Sequence, residues 1–208
     1  SHGLESLVAD GIVGDPDGLA RVLETSLAKR MATSDLVSLI ATHRAMSSGD
    51  LDLVTAIDRT LTATKLGSEE RQGSERTGRR LLIEVGRMLG ETNPHPAREY
   101  CLQVEGGCAP GNWAVAFGIG AWSLEIEAPH AALAACHSFT SGLLGAAMRC
   151  MKLGHGDAQR LLREAQPTMV AAVTEAQRVP WPQMFSGAPH LDIATGRHQQ
   201  LEARMFAS

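Results

Sequence analysis

The stretch from Pro129 to Gly154 constrains the fold of this chain more than any other part. It carries no Asp, Glu, Lys or Arg between Pro129 and Met148. Its apolar residues recur at alternating steps of four and three, the spacing of a buried helical face: Ala132, Cys136, Phe139, Leu143, Ala146, Cys150 and Leu153. Small residues fill its second half, where we expect a neighbouring helix backbone to approach closely: Gly142, Gly145, Ala146 and Ala147.

The same stretch approaches the length that a membrane-spanning helix needs. Histidine and hydroxyl side chains interrupt it, however, and the mean hydropathy of the whole chain is only -0.07. We therefore expect a buried helix of a globular protein rather than a membrane span.

Amphipathic helices are predicted along most of the remaining chain. Asp15, Ser34 or Asp35, and Asp50 are suitable N-terminal caps for three of them, and the residues from Ser47 to Gly49 are expected to end the second of these helices. A second uncharged helix from Asn112 to Leu124 is expected to pair with the Pro129 helix at the centre of a bundle. Strand-like alternation is missing, and 208 residues with 44% hydrophobic content suit one core. The sequence predicts an all-α single domain, 1–208, of roughly eight to ten helices around this small-residue-rich pair.

Three segments depart from regular amphipathic helices. Residues 91–111 hold three prolines and three glycines and predict an irregular segment around one short helix, Ala97 to Val104. The first half of the helix that begins at Ser68 is polar and is expected to face solvent or a partner. Residues 188–208 carry few apolar side chains, which predicts an exposed, partner-binding tail.

Charge and cysteine content exclude some classes of function. The net charge is -4 and basic residues alternate with acidic ones, so we expect no nucleic-acid or anionic-membrane surface. Four cysteines in a chain of this size do not predict a disulfide framework, which favours a cytoplasmic location.

Catalytic motifs are missing from the sequence. It has no phosphate-binding loop, dinucleotide fingerprint, HExxH or GxSxG. Candidate metal ligands are weak: Cys101 and Cys108 with His95 are too widely spaced, and Cys136 and His137 point in different directions on a helix. Arg149 either pairs with groups at the end of its helix or contacts a partner, and both interpretations stay open.

Five blocks of the chain resemble motifs of the UreF family of urease accessory proteins. They are SHGLE at 1–5, EERQGSERTGRRLL at 69–82, NWAVAFG at 112–118, AAMRCMKLG at 146–154, and a block at 189–208 that begins PHLDIATGRH. Their order along the whole chain identifies it as a member of the family. The family continues beyond SHGLE toward the N-terminus, so we expect an N-terminal segment to be missing here.

The resemblance implies an all-helical, dimeric and non-enzymatic scaffold. Such a protein joins an accessory protein, UreD or UreH, to the GTPase UreG, tunes GTP hydrolysis and supports nickel delivery to apo-urease. It implies no cofactor of its own, because the complex handles nickel and GTP. It also implies a set of partner-binding residues: Ser1, His2, Gly3, Glu5, Glu69, Arg71, Ser74, Gly78, Arg149, Gly154, Asp192, Arg197, His198, Arg204 and Phe206.

Two other classes of function remain as alternatives. One is an all-helical enzyme or binding protein with a small-molecule pocket between the central helices, anchored by Arg149 and His137. The other is a nickel carrier that binds the metal itself through His2, Cys136 or His198.

Overall fold

The computed structural model describes residues 3–90 and 95–197, with only the backbone of Arg197. Within these ranges the chain is helical and has no strand, which confirms the all-α prediction. The helices are α1 Leu4–Ala9, α2 Pro16–Lys29, α3 Asp35–Ser48, α4 Leu51–Thr64, α5 Ser68–Met88, α6 Pro96–Glu105, α7 Trp113–Ser123, α8 Ala128–Cys150, α9 His155–Glu164, α10 Gln166–Ala176 and α11 Pro189–Arg197. Only Ala165 separates α9 from α10, and Pro167 lies in the first turn of α10.

The predicted capping residues begin and end the helices as expected. The Asp15 carboxylate accepts a hydrogen bond from the Gly18 amide at 2.7 Å, and Asp50 accepts one from the Leu53 amide at 2.9 Å. Gly49 ends α3 with φ of 70°, a conformation that glycine adopts without strain. Local sequence therefore determines the boundaries of α2, α3 and α4.

Helix α7 is the centre of the fold. A Cβ atom at Gly118 would lie 2.7 Å from the carbonyl oxygen of Leu39, so the backbone of α3 packs directly on α7. A Cβ atom at Gly78 of α5 would lie 2.7 Å from the amide nitrogen of Trp113, at the first residue of α7. Glycine thus allows α3 and α5 to approach α7 closely.

Helix α8 connects two hydrophobic cores. Ala132 and Cys136 belong to a large core formed with α3 and α7, whereas Leu143 and Ala147 belong to a smaller core with α1, α2 and α9. The helix is long and apolar enough to cross a membrane by length and composition, and half of its most apolar window is buried inside the fold. Its predicted apolar face is therefore the face that packs on the rest of the protein.

The expected close approach at the α8 glycines was wrong. A Cβ atom at Gly142 or Gly145 would meet no heavy atom of another element within 4 Å, and Gly142 is exposed. The neighbouring Ala146 and Ala147 are buried as expected. The two glycines lie on the side of α8 that faces away from both cores, so they leave open space beside the helix.

Helix α11 corrects the prediction of an exposed tail over residues 188–197. Ala188, Leu191 and Ala194 are buried in the smaller core. The N-terminal end of α1 packs on this helix: Gly3 has φ of 82°, and a Cβ atom there would lie 2.9 Å from the Thr195 amide nitrogen. These three side chains recur at steps of three residues and hold this segment on the smaller core.

A buried carboxylate organises the irregular segment between α6 and α7. Asp58 of α4 is fully buried and accepts hydrogen bonds from the Tyr100 hydroxyl at 2.5 Å and the Gly111 amide at 2.7 Å. It also accepts from the backbone amide of Asn112 at 3.1 Å and from its side-chain amide at 2.7 Å. Burial and the nearby Asp58 charge raise the pKa of Tyr100, so its hydroxyl remains a donor.

Candidate functional site

A cleft with a volume of about 390 Å³ opens between the first half of α5 and the outward face of α8. Gly3 at the start of α1 and Thr195 of α11 close one end of it. Its apolar walls are Met31, Trp113 and Phe139. Gly142 lies on the α8 wall of the cleft, where a Cβ atom would meet no heavy atom of another element within 4 Å.

Four charged side chains form the base of this cleft. The Lys65 ammonium lies 2.8 Å from Asp35 Oδ1 and 3.3 Å from Glu70 Oε1. Arg30 forms an ion pair with the same Glu70 oxygen through its Nη2. None of the four side chains is more than 14% exposed, so the three ion pairs are almost completely removed from water.

Helix ends determine where these charges lie. Arg30 and Lys65 follow the last residues of α2 and α4, where the helix dipole favours a positive charge. Asp35 begins α3 and Glu70 lies in the first turn of α5, where the dipole favours a negative charge. The cluster thus forms where two helix C-termini meet two helix N-termini.

Both cations of the cluster stay protonated. Burial lowers the pKa of Lys65, but the charges of Asp35 and Glu70 more than offset it and leave that pKa raised. Burial acts in the same way on Arg30, where Glu70, Asp35 and Asp192 together raise the pKa. The cleft therefore has two permanent positive charges at its base, each matched by a carboxylate.

Three of the residues that sequence motifs suggested for partner contact line this cleft, although they come from distant segments. Gly3, Glu69 and Ser74 all contribute to its surface. The Ser74 hydroxyl also accepts a hydrogen bond from the Trp113 amide at 3.2 Å. The structure therefore brings the start of α1 and the polar half of α5 together at one place.

Other residues of that set have contacts inside the protein. Arg71 Nη1 donates to the carbonyl oxygens of Lys65 at 2.6 Å and Leu66 at 3.0 Å, so it holds the turn between α4 and α5. Gly78 is buried against the start of α7. Asp192 is buried and accepts a hydrogen bond from Ser186 at 2.7 Å.

The remaining residues of the set lie elsewhere or outside the described ranges. Glu5 is buried in α1, whereas Arg149 and Gly154 are exposed and do not line the cleft. Arg149 Nε donates to the Gly145 carbonyl oxygen at 3.2 Å, at the C-terminal end of α8. The following fall outside the described residues: Ser1, His2, His198, Arg204, Phe206 and the side chain of Arg197.

The small-molecule anchors of the alternative function lie away from this cleft. Neither Arg149 nor His137 lines the cleft, whose polar base comes from Arg30 and Lys65 instead. No sequence motif marked these two cations, because each stands singly after a helix and meets its carboxylate partner only in the folded chain. Asp58 did leave a signal: it falls on the apolar stripe of α4, four residues after Val54.

Metal ligands do not converge within residues 3–90 and 95–197, where no group of three His, Cys, Asp or Glu side chains could hold an ion. Cys136 is fully buried and His137 is exposed, as their neighbouring positions on a helix predicted. Cys101 is buried and Cys108 is exposed, which separates the second candidate pair. His95 caps α6 and packs against the Trp122 ring, with 5.4 Å between ring centroids.

Cysteine reactivity tests this arrangement directly. Burial raises the pKa of the Cys136 thiol from 9.0 to about 12, whereas Cys108 is exposed. We expect iodoacetamide to alkylate Cys108 readily at mildly alkaline pH and Cys136 about a thousandfold more slowly, because the thiolate is the reactive form. Peptide mass spectrometry over time gives both rates, and the urea-unfolded chain, in which the two thiols should react alike, is the control. Equal rates in the folded chain would contradict the burial of Cys136.

Comparison with known proteins identifies a related family. The sequence model of the UreF family matches residues 13–166. The urease accessory protein UreF of Trichodesmium erythraeum is 30% identical over 212 residues, covering 100% of this chain and 88% of that protein. The UreF protein of a Bacillus species is 26% identical and covers 100% of this chain and 90% of its own length. UreF 1 of Brucella melitensis is 30% identical, covering 99% of this chain and 84% of its own.

Proposed function

This chain belongs to the UreF family of urease accessory proteins, and on that premise we propose that it is a non-catalytic scaffold of urease maturation. In this proposal it bridges a UreD- or UreH-type protein and the GTPase UreG. The assembly then delivers nickel to apo-urease in a GTP-dependent step, and the scaffold tunes GTP hydrolysis. In this proposal the complex transfers nickel and hydrolyses GTP, and this subunit needs no cofactor of its own.

The convergence of Gly3, Glu69 and Ser74 on one cleft supports a partner surface there. Gly3 lies far from Glu69 and Ser74 in the sequence, and α11, which carries Thr195 at the same cleft, leads into residues 198–208. A partner that contacts the cleft would therefore meet α1, α5 and α11 together. We propose this region as the main docking surface, and Arg197, His198, Arg204 and Phe206 as further partner contacts at the C-terminal end of the sequence.

The charges of the cleft favour binding over catalysis. Asp35 and Glu70 are each held by a buried cation, so neither carboxylate is placed to exchange protons with a substrate. The four cysteines are unpaired, which suits the reducing cytoplasm proposed for the assembly. We further propose that the scaffold acts as a homodimer in that complex.

Co-expression with the cognate UreD- or UreH-type protein and UreG tests the scaffold proposal. We expect size-exclusion chromatography with light scattering to show a complex that contains all three proteins, and we expect guanine nucleotide to change its stability. The chain alone, analysed in parallel, shows whether it is folded. A folded chain that joins neither protein would overturn the proposal.

Charge reversal at the cleft rim tests the docking surface. Arg76 is exposed and lines the cleft, and we expect Arg76→Glu to weaken assembly about tenfold by placing a negative charge against the partner. The matched control is Arg178→Glu, an equal charge change at the end of α10 outside the cleft. Truncation after Arg197 removes the C-terminal segment but keeps the core residues of α11, and it should weaken scaffold binding. Unchanged assembly in both Arg76→Glu and the truncated chain would place the docking surface elsewhere.

A further inference from the structure

We propose that the cleft is also a binding site for a small uncharged amide that carries an apolar substituent. The carbonyl oxygen of the amide would accept a hydrogen bond from Arg30, and the substituent would lie against the aromatic walls. This site is a property of the single chain and goes beyond the scaffold role.

The first observation is a buried donor that lacks an acceptor. Arg30 lines the cleft, is 4% exposed and pairs with Glu70 through Nη2. Its Nη1 is buried and has no hydrogen-bond partner among the described residues. A buried guanidinium nitrogen without an acceptor is costly, because it has lost its water and gained nothing in return. The base of the cleft is therefore suited to a ligand that brings an oxygen acceptor.

The charge balance indicates that this acceptor is uncharged. Asp35 and Glu70 already match the two buried cations, and the Asp192 charge also acts on Arg30. A carboxylate or phosphate would add a further negative charge to a site that has no unmatched positive charge at its base. An amide supplies the oxygen without that charge, and its N–H group can donate to the hydroxyl groups of the cleft.

The walls indicate an apolar substituent. Met31, Trp113 and Phe139 offer apolar surface, and the volume of about 390 Å³ is in the range of small-molecule sites and far larger than one water molecule needs. Apolar walls with few fixed polar groups are typical of such sites. A branched aliphatic group attached to an amide would fill this space.

A matched pair of probes tests the chemistry of the site. N-acetyl-leucine amide and N-acetyl-leucine have nearly the same shape and differ by one charge. We expect the isolated chain, titrated by NMR, to bind the amide with shifts at Trp113 and Phe139, and the acid about tenfold more weakly. Equal or tighter binding of the acid would overturn the uncharged class. If the amide caused no NMR shift, it would not bind in the cleft, and the proposed site would be wrong.

Two glycine variants of α8 locate the binding. A Cβ atom at Gly142 would lie in open space at the cleft, so Gly142→Leu should fill the cleft and abolish binding of the amide. Gly145→Leu has equal space around it but does not line the cleft, and it should bind as the unchanged protein does. Retained binding in Gly142→Leu, or equal loss in both variants, would overturn the assignment to this cleft.

The source of the amide is distinguished by competition in the three-protein complex. If the natural ligand is a carboxamide or backbone amide of a partner, saturating N-acetyl-leucine amide should weaken assembly. If the natural ligand is a free small molecule, assembly should be unaffected. Either result is consistent with an amide site and identifies the source of the amide. Because the titration uses the isolated chain, its failure would leave the assembly test intact.

Discussion

Replacement of Asp58 by alanine is expected to lower the free energy of unfolding by about 3–4 kcal/mol. The fully buried carboxylate accepts four hydrogen bonds, from Tyr100, Gly111 and both amides of Asn112. Alanine would leave the Tyr100 hydroxyl and the backbone amides of Gly111 and Asn112 without their acceptor, whereas the Asn112 side chain would keep its hydrogen bond to Thr62 Oγ1. The segment that precedes α7 would be released. Urea denaturation followed by circular dichroism measures the loss.

The control for this change is Tyr100→Phe. It removes one of the four donors but leaves Asp58 bound to the amides of Gly111 and Asn112. We expect a smaller loss of about 1–2 kcal/mol. If Asp58→Ala were no more destabilising than Tyr100→Phe, the carboxylate would not organise this segment, and the role assigned to it would be wrong.

Replacement of Gly78 by alanine is expected to be the most disruptive methyl insertion in the described chain. The added Cβ would lie 2.6 Å from the Asn112 carbonyl carbon and closer still to the Gly111 carbonyl oxygen, both of them backbone atoms. Because backbone cannot rotate away as a side chain can, α5 must shift from α7. We expect a loss of about 3 kcal/mol or more in the free energy of unfolding.

A second glycine of α5, Gly86, provides a control in which alanine is expected to stabilise the protein. A Cβ atom at Gly86 would meet no atom of another element within 4 Å. Gly86→Ala should therefore stabilise the protein by up to about 1 kcal/mol, since alanine favours helix more than glycine does. Comparison of the two denaturation midpoints separates helix propensity from close packing. Similar shifts in both variants would show that α5 does not pack tightly on α7.

Local signals in the sequence predicted the helix boundaries well. Asp15, Asp50 and Gly49 act on residues within one turn, so their effect can be inferred without knowledge of the fold. The apolar face of α8 was also predictable, because its period is a property of the segment alone. The sequence could not tell which glycines would contact another helix: Gly118 does, and Gly142 does not.

The candidate site could be predicted only in part. The motif residues Gly3, Glu69 and Ser74 do line the cleft. Arg30 and Lys65 were missed because their partners lie at other helix ends, and a single cation after a helix usually faces solvent. The polar half of α5 was expected to face solvent or a partner. Glu70 in this half is nevertheless buried, because it pairs with Arg30 and Lys65 at the ends of other helices.

Helix α8 contributes to both hydrophobic cores, and this links the unfolding of one core to that of the other. The N-terminal half of this helix belongs to the large core and the C-terminal half to the small one, and no loop interrupts it. If one half of α8 separates from its core, the apolar surface of that half becomes exposed to water. The contacts of the other half do not cover this surface. The two cores are therefore expected to melt together, which makes the chain one cooperative folding unit.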